Sequence, residues 1–167
     1  MSIGVTNMPI ESLDAIDRKI LDRLQRDGRT SNQDLSQAVG LSPSPCLRRV
    51  RQLEDSGTIN GYVALVSPEA VGLSVTAFVR VRLRSQDDRN LAEFESAAVG
   101  FPEVMECYLM TGDSDYQLRV LVESLAAFED FLRHKLTRIA CVAGVNSSFA
   151  LRPIVYRTAL PMLAERI

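Results

Sequence analysis

The sequence is poor in the residues that carry most catalytic and metal-binding chemistry. Among 167 residues there is no tryptophan, one histidine, His134, and three cysteines, Cys46, Cys107 and Cys141. The cysteines are odd in number, far apart and never in a Cys-x-x-Cys pair, so they define neither a disulfide framework nor a zinc site. One histidine also leaves little room for Ser-His or Cys-His catalysis. We therefore expect no enzymatic activity, no metal and no cofactor, and we interpret the cysteines as small buried apolar residues.

Long hydrophobic runs are missing as well. No apolar stretch approaches the roughly 20 residues that a membrane helix needs, and residues 1–11 have neither the basic flank nor the apolar core of a signal peptide. We expect those residues to form a short, poorly ordered leader and the protein to be cytoplasmic. A hydrophobic share of 46% and a charged share of 24% are typical of globular proteins, and 167 residues suffice for one large domain or two small ones.

Charge is nearly balanced, with a net value of −2, but it is unevenly distributed. Residues 1–62 carry eight basic and eight acidic side chains, whereas residues 63–167 carry eleven and thirteen. Within the first half, residues 42–53 contain Arg48, Arg49 and Arg51 and no acidic residue. Because local charge matters more than the total, a neutral region with one concentrated basic stripe is compatible with DNA binding.

Capping residues divide the first half into three short helices. Asp14, Ser31 and Ser42 are suited to begin a helix, and Gly28 and Gly40 are suited to end the first two. The tight turn between the second and third segments predicts a helix-turn-helix over about residues 32–51. The apolar residues at helical spacing, which we predict to be buried, are Ile16, Ile20, Leu21, Leu24, Leu35, Ala38, Val39, Cys46, Leu47, Val50 and Leu53.

The outer side of the third helix is polar and basic. A helical wheel places Ser44, Arg48, Arg51 and Gln52 opposite the buried arc, with Arg49 at the flank. Arginine suits phosphates and guanine edges, while serine and glutamine can reach adenine or backbone oxygens. Three arginines on one helix can equally be a solvated face, but the short preceding helix and the tight turn favour DNA binding. The residues that we predict to bind DNA are Ser31, Asn32, Ser42, Ser44, Arg48, Arg49, Arg51 and Gln52.

The second half alternates between strand and helix patterns. Residues 59–66 are predicted to form a strand that serves as a wing or as the connector to the C-terminal domain. Because Phe78 and alternate positions of the other strands look too apolar to face water, we expect a second copy to cover one face of the sheet, as a homodimer or a larger assembly. The order from residue 75 is the ferredoxin-like βαββαβ arrangement, predicted as strand 75–83, helix 87–100, strands 104–110 and 116–122, a helix that Ser124 caps, and strand 145–151.

Six motifs succeed one another along the chain: Leu13-Asp14-Ala15-Ile16-Asp17, Asp27-Gly28-Arg29, Gly40-Leu41-Ser42-Pro43-Ser44-Pro45-Cys46, Arg48-Arg49-Val50-Arg51-Gln52-Leu53-Glu54, Gly57-Thr58-Ile59-Asn60-Gly61-Tyr62 and Thr111-Gly112-Asp113-Ser114-Asp115-Tyr116. In this order they resemble the Lrp/AsnC family of bacterial and archaeal transcription regulators, over about residues 13–160. The resemblance implies an α+β protein with a winged helix-turn-helix DNA-binding domain at 13–62, an extended linker at 63–74, and a ferredoxin-like effector-binding and oligomerisation domain at 75–160. It also implies dimers and often octamers.

The resemblance further implies that a small effector binds in clefts between subunits, near the loop that joins the second and third strands of the C-terminal domain. Without the family, backbone N–H groups around Gly112 suit a carboxylate, and Asp113 or Asp115 suits an ammonium, as a zwitterionic amino acid requires. The same residues are equally typical of a hairpin turn. The effector-binding residues that the resemblance implies are Leu109, Thr111, Gly112, Asp113, Asp115, Tyr116 and, from a neighbouring subunit, Thr137.

The family often has proline at the end of its last helix, where this chain reads Ile139-Ala140-Cys141-Val142, so the shape of the cleft and the effector remain open. Leucine or a similar amino acid is the first ligand to try. We predict a DNA-binding transcription regulator that responds to an amino acid, with double-stranded DNA and further copies of itself as partners. Two alternatives remain, which are an architectural DNA-organising protein with little effector response and an enzyme on a ferredoxin-like scaffold.

Overall fold

The computed structural model describes residues 13–162, so the leader predicted at residues 1–11 lies outside the described residues. The chain forms two compact units. One unit contains the chain up to Ala64 and the segment that starts at Val155, and the other contains Leu65–Ile154. The domain boundaries predicted at residues 62 and 74 remain predictions. No helix within residues 13–162 is long and apolar enough to cross a membrane.

The first unit contains three helices: α1 Ala15–Arg26, α2 Asn32–Val39 and α3 Pro43–Asp55. The side chains of Asp14 and Ser31 cap α1 and α2 by accepting hydrogen bonds from first-turn N–H groups. Gly40 ends α2 in a left-handed conformation with φ of 75°, which glycine adopts without steric cost. The predicted helix-turn-helix is therefore confirmed. The three helices share one hydrophobic core, which consists of Ile20, Leu21, Leu35, Val39, Cys46, Val50 and Leu53.

Several details of the helix predictions were wrong. α1 ends before Gly28, whose backbone is not left-handed. The Ser42 hydroxyl makes no capping bond to α3. Of its two usual donors, the third helical position is Pro45, which has no N–H, and the Ser44 N–H at the second position does not bond to it. Ala38 and Leu47, which were predicted to be buried, are exposed.

The segment after α3 is not the strand predicted at residues 59–66. It has no regular secondary structure before a short 3₁₀ turn at Glu69–Val71. A strand needs a neighbour for its hydrogen-bond ladder, and no segment within residues 13–162 pairs with this one. The Tyr62 hydroxyl instead donates to Oε1 of Glu54 on α3 at 3.0 Å. The ring also lies against Gly28, where a Cβ would come within 3.4 Å of Tyr62 Cδ1.

Residues 155–162, which we call the return segment, group with the first unit. The Gln25 side chain on α1 accepts a hydrogen bond from the backbone N–H of Leu160 at 2.6 Å and donates one to its carbonyl oxygen at 3.2 Å. Met162 packs against the helical core. Nothing in the sequence pattern indicated this contact, because it joins residues 135 positions apart.

The second unit has the predicted βαββαβ order. The elements are β1 Val75–Leu83, α4 Asp88–Val99, β2 Val104–Leu109, β3 Tyr116–Val122, α5 Leu125–His134 and β4 Val142–Phe149. β1 pairs with β3 and β4, and β2 pairs with β3, which gives an antiparallel sheet in the order β2-β3-β1-β4. The last strand, β4, starts and ends earlier than the predicted 145–151.

The two helices cover one face of this sheet. Phe94 and Ala98 of α4 and Phe128 and Phe131 of α5 pack with the alternate apolar residues of β1 and β3. The other face was expected to be too apolar for water, and that expectation was wrong. Apart from Phe78, Tyr108 and Leu121 it is mainly polar, so it provides no argument of its own for a homodimer. The strand registers place on it Thr76, Phe78, Arg80, Arg82, Glu106, Tyr108, Gln117, Arg119, Leu121, Gly144, Asn146 and Ser148.

Candidate nucleic-acid interface and effector loop

The outer face of α3 carries unpaired basic and polar side chains. Ser44, Arg48, Arg51 and Gln52 are all exposed. Neither arginine forms an ion pair with a residue in the described part of the chain. The helix contains no acidic residue before Glu54. These four side chains are therefore available to a polyanionic partner.

Arg49 has a different environment from the other two arginines. Its Nη1 donates to Oδ2 of Asp14 at 2.7 Å and to Oδ1 of Asp17 at 2.9 Å. The Arg49 side chain is 27% exposed and that of Asp17 is 15% exposed. These bonds hold the pKa of Arg49 above its usual value. The backbone N–H of Asp17, together with Arg49, lowers the pKa of the Asp14 carboxyl. Arg49, which we predicted to bind DNA, therefore ties α3 to the N-terminus of α1.

The predicted residues on α2 also make contacts within the chain. The Ser31 hydroxyl donates to Oδ2 of Asp34 at 2.7 Å and accepts from its backbone N–H at 3.1 Å. The Asn32 side-chain amide donates to the carbonyl oxygen of Pro43 at 2.9 Å, which joins α2 to the first turn of α3. Ser42 is exposed at the start of α3. The structure thus brings all eight predicted residues into one unit but gives Ser31, Asn32 and Arg49 internal partners.

The loop between β2 and β3, residues 110–115, is fixed at its base by Asp115. This residue is 5% exposed. Its Oδ2 accepts from the backbone N–H of Leu83 at 2.6 Å, and its Oδ1 accepts from the side-chain amide of Gln86 at 2.5 Å. Its own backbone N–H donates to the carbonyl oxygen of Val81 at 2.9 Å. Both carboxylate oxygens are therefore occupied within the chain, and Asp115 holds the loop against the end of β1.

Tyr116, the first residue of β3, anchors the same end of the loop as Asp115. Tyr116 is buried, and its hydroxyl donates to Oε1 of Glu95 at 2.8 Å. The centroid of its ring lies 4.5 Å from the centroid of the Phe94 ring. Burial, aided by the bond to Glu95, raises the pKa of Tyr116. The side chain therefore acts as an internal support.

The free part of the loop is its tip. Thr111, Gly112 and Asp113 are exposed, and Gly112 has φ of 115°, where a side chain would be strained. Leu109 is also exposed at the end of β2. Asp113 lines an open cavity of about 380 Å³ on the polar sheet face, together with Arg80, Arg82, Ser114, Gly144, Val145 and Asn146.

Sequence reasoning missed the two arginines of this cavity. Arg80 and Arg82 alternate along β1 and therefore share a face, and the Nη2 of Arg80 donates to Oδ1 of Asn146 at 3.1 Å. Their alternation was visible in the sequence, but their proximity to Asp113 depends on the pairing of the strands. Thr137 lies in a 3₁₀ turn, donates its hydroxyl to the carbonyl oxygen of Leu132 at 2.8 Å, and lines a different open cavity.

Two family models match the two parts of the chain. A winged helix-turn-helix DNA-binding model matches residues 13–60, and the Lrp/AsnC ligand binding domain matches residues 76–160. The chain belongs to the Lrp/AsnC family. It is a DNA-binding transcriptional regulator with a C-terminal ligand-binding domain.

Relatives of this Lrp/AsnC regulator are themselves transcriptional regulators. It is 49% identical over 150 residues to the Bkd operon transcriptional regulator of Pseudomonas aeruginosa, covering 90% of this chain and 98% of the other. This chain is 44% identical over 142 residues to the leucine-responsive regulatory protein of Rhizobium meliloti, and the match covers 85% of this chain and 91% of that protein. The crystal structure of a Neisseria meningitidis transcriptional regulator in complex with L-Met matches with a TM-score of 0.86 and 42% identity, covering 90% and 97%.

Proposed function

We propose that this Lrp/AsnC regulator reads DNA with the outer face of α3. The observation that carries the proposal is the contrast among the arginines, since Arg48 and Arg51 are exposed and Arg49 is held by two aspartates. A free guanidinium can donate two hydrogen bonds to the O6 and N7 atoms of guanine, or it can bind a phosphate. Ser44 and Gln52 lie on the same exposed side, where hydroxyl and amide groups reach bases or phosphates.

The remaining predicted residues fit a supporting role in this proposal. Ser42 lies at the N-terminus of α3, where the helix dipole favours a phosphate and the Ser44 N–H is free to donate, Pro43 and Pro45 having no N–H. Ser31 caps α2, Asn32 joins α2 to the first turn of α3, and Arg49 holds α3 against α1. Substitution of any of these three residues is expected to weaken binding by disturbing the helices rather than by removing a DNA contact.

The test uses a duplex selected by the wild-type protein from a random library. Arg48→Ala and Arg51→Ala should each weaken binding by about 1–3 kcal/mol in a fluorescence anisotropy titration. A base contact appears as relaxed preference at one position, whereas a phosphate contact appears as a uniform loss and a salt slope smaller by about one. Arg89→Ala on α4, an exposed arginine of the other unit, is the matched control. Wild-type affinity and preference in both α3 variants would show that another surface reads DNA.

An amino acid is the proposed effector. Three findings support this: the match to a ligand-binding domain, the L-Met complex of the Neisseria relative, and the exposed loop tip at residues 111–113. Backbone N–H groups beside Gly112 suit the carboxylate, and Asp113 suits the ammonium. Leu109 offers an apolar neighbour, while Asp115 and Tyr116 fix the loop. Thr137 remains a predicted contribution from a neighbouring subunit.

Calorimetry and DNA titrations with leucine, methionine and other amino acids test this second part. Binding of an effector should change the free energy of DNA binding or of subunit assembly by about 1–3 kcal/mol, which is the usual size of a coupling free energy between two sites. Asp113→Ala should weaken effector binding and leave effector-free DNA binding intact, and Asp130→Ala on α5 is a control for loss of one exposed acid in the same unit. No response to any amino acid would favour the alternative of an architectural DNA-organising protein.

The proposal includes a homodimer or larger closed assembly in the cytoplasm and no catalytic step. Two copies of α3 would meet half-sites about 34 Å apart, or a multiple of that distance, so that targets should be imperfect palindromes. Sedimentation of the protein with one duplex measures how many copies bind. A single copy bound to a non-palindromic site would contradict the proposed assembly.

A further inference from the structure

Leu47 is a large apolar side chain on the outer part of α3. It is 39% exposed and belongs to neither hydrophobic core, although its neighbour Cys46 is fully buried. A single exposed leucine is common on protein surfaces, so exposure alone assigns it no role. Its position on the helix is what distinguishes it.

That position is within the face proposed to meet DNA. Residues three and four apart are neighbours on a helix surface, so Leu47 lies between Ser44 and Arg51, next to Arg48 in sequence. All four side chains are exposed. A helix inserted with this face toward the bases brings the leucine methyl groups into the groove along with the two guanidinium groups.

The major groove displays one apolar group on its base edges, the C5-methyl group of thymine. Hydrogen-bonding side chains cannot use that group, whereas a leucine that displaces water from it gains the free energy of apolar burial. We infer that Leu47 contacts the C5-methyl group of a thymine and sets a preference for thymine at one position of each half-site. The inference rests on the proposed role of α3 in DNA recognition.

Uracil differs from thymine only by the absence of this methyl group, so a substitution scan isolates the contact. Each thymine of the selected duplex is replaced in turn by deoxyuridine, and affinity is measured by anisotropy for wild-type protein and Leu47→Ala. Burial of one methyl group is worth about 0.8 kcal/mol, which corresponds to about a fourfold change in affinity. We expect wild type to lose about fourfold at one position per half-site and Leu47→Ala to show no loss at that position.

Three further variants make the outcome decisive. Leu47→Met keeps an apolar side chain and should keep the methyl preference, and Leu125→Ala, at an exposed leucine of α5, should behave as wild type. Alanine is favourable in an exposed helical position, and circular dichroism checks that Leu47→Ala is folded. Arg48→Ala should bind more weakly overall but retain the methyl effect.

The failure of this inference is distinct from the failure of the proposed DNA interface. If Arg48→Ala loses affinity while no thymine-to-uracil change affects wild type, the Leu47 contact is overturned and the α3 interface stands. The same holds if Leu47→Ala retains the full methyl effect. If neither Arg48→Ala nor Arg51→Ala loses affinity, both proposals are overturned together.

Discussion

Arg49→Ala separates a positioning role from a DNA contact. The substitution removes the hydrogen bonds of 2.7 Å and 2.9 Å to Asp14 and Asp17 and leaves the mostly buried Asp17 carboxylate without its cation. Exposed ion pairs contribute about 0.2–1 kcal/mol, and loss of one partner from a fully buried pair costs about 3–5 kcal/mol. Because the Arg49 side chain is 27% exposed and partly screened by solvent, we expect a loss of about 1–3 kcal/mol in the first unit.

Hydrogen exchange measures this loss locally, which matters because two compact units need not unfold in one step. A loss of about 1–3 kcal/mol corresponds to roughly 5- to 150-fold faster exchange of protected amides. The increase should appear in α1 and α3, while β3 in the other unit stays unchanged as an internal reference. Arg49→Lys should lie between wild type and Arg49→Ala, because both carboxylates meet the same nitrogen atom of Arg49.

Arg48→Ala is the matched control for this experiment. Its guanidinium has no partner among the described residues, so exchange rates should remain at wild-type values while DNA affinity falls. If Arg48→Ala accelerates exchange as much as Arg49→Ala does, or if Arg49→Ala leaves α1 and α3 fully protected, the assignment of the two arginines to different roles is wrong.

Asp115→Ala should destabilise the second unit by about 1–3 kcal/mol in urea unfolding, because it leaves the buried N–H of Leu83 without its acceptor. Asp113→Ala should unfold as wild type does. Equal urea midpoints for the two variants would contradict the structural role of Asp115. The lowered pKa of Asp14 means that its contribution to stability is present above the ordinary value of 3.8 and is lost as the pH falls through the lower folded value. The protection factors of the α1 amides, which are corrected for the pH dependence of intrinsic exchange, should therefore fall below about pH 4. They should fall less in Asp14→Asn, and identical pH profiles of the protection factors would refute this. Gln25→Ala should expose the Leu160 amide to faster exchange, with a rate equal to that of wild type counting against the contact.

Local rules predicted the helices well because caps act over three or four residues. Ser31 marks the start of α2 through its side-chain hydroxyl, and Gly40 and Pro43 mark the end of α2 and the start of α3 through their backbone conformations. Each of these effects is local. The strand predicted at 59–66 failed because a strand depends on a partner that local sequence does not supply. The alternation of apolar residues in β1 succeeded where such partners exist on both sides.

The roles of individual polar residues were harder to predict than the elements that carry them. A wheel places Arg48 opposite the buried arc and Arg49 at its flank, but only the tertiary contacts with Asp14 and Asp17 show that Arg49 has a partner within the chain. From the sequence, Asp115 was interpreted as a carboxylate in a turn that could bind an ammonium group. Its carboxylate instead accepts a hydrogen bond from the backbone N–H of Leu83, which is 32 residues away and is not visible in the local sequence. Leu47 was predicted to be buried because a wheel places it on one arc with Cys46, Val50 and Leu53, and a wheel cannot locate the edge of a core within one residue.

The return segment has a consequence for how the regulator is made. The three helices of the first unit leave the ribosome before the second unit does, but Leu160, which bonds to α1, and Met162, which packs on the helical core, are synthesised after it. At about 5–20 residues per second, the 135 residues that separate Gln25 from Leu160 take roughly 7–27 s to add. During that interval the second unit, Leu65–Ile154, is synthesised in full. The DNA-binding unit therefore completes its contacts only after the second unit has been synthesised, although its helices are encoded before that unit.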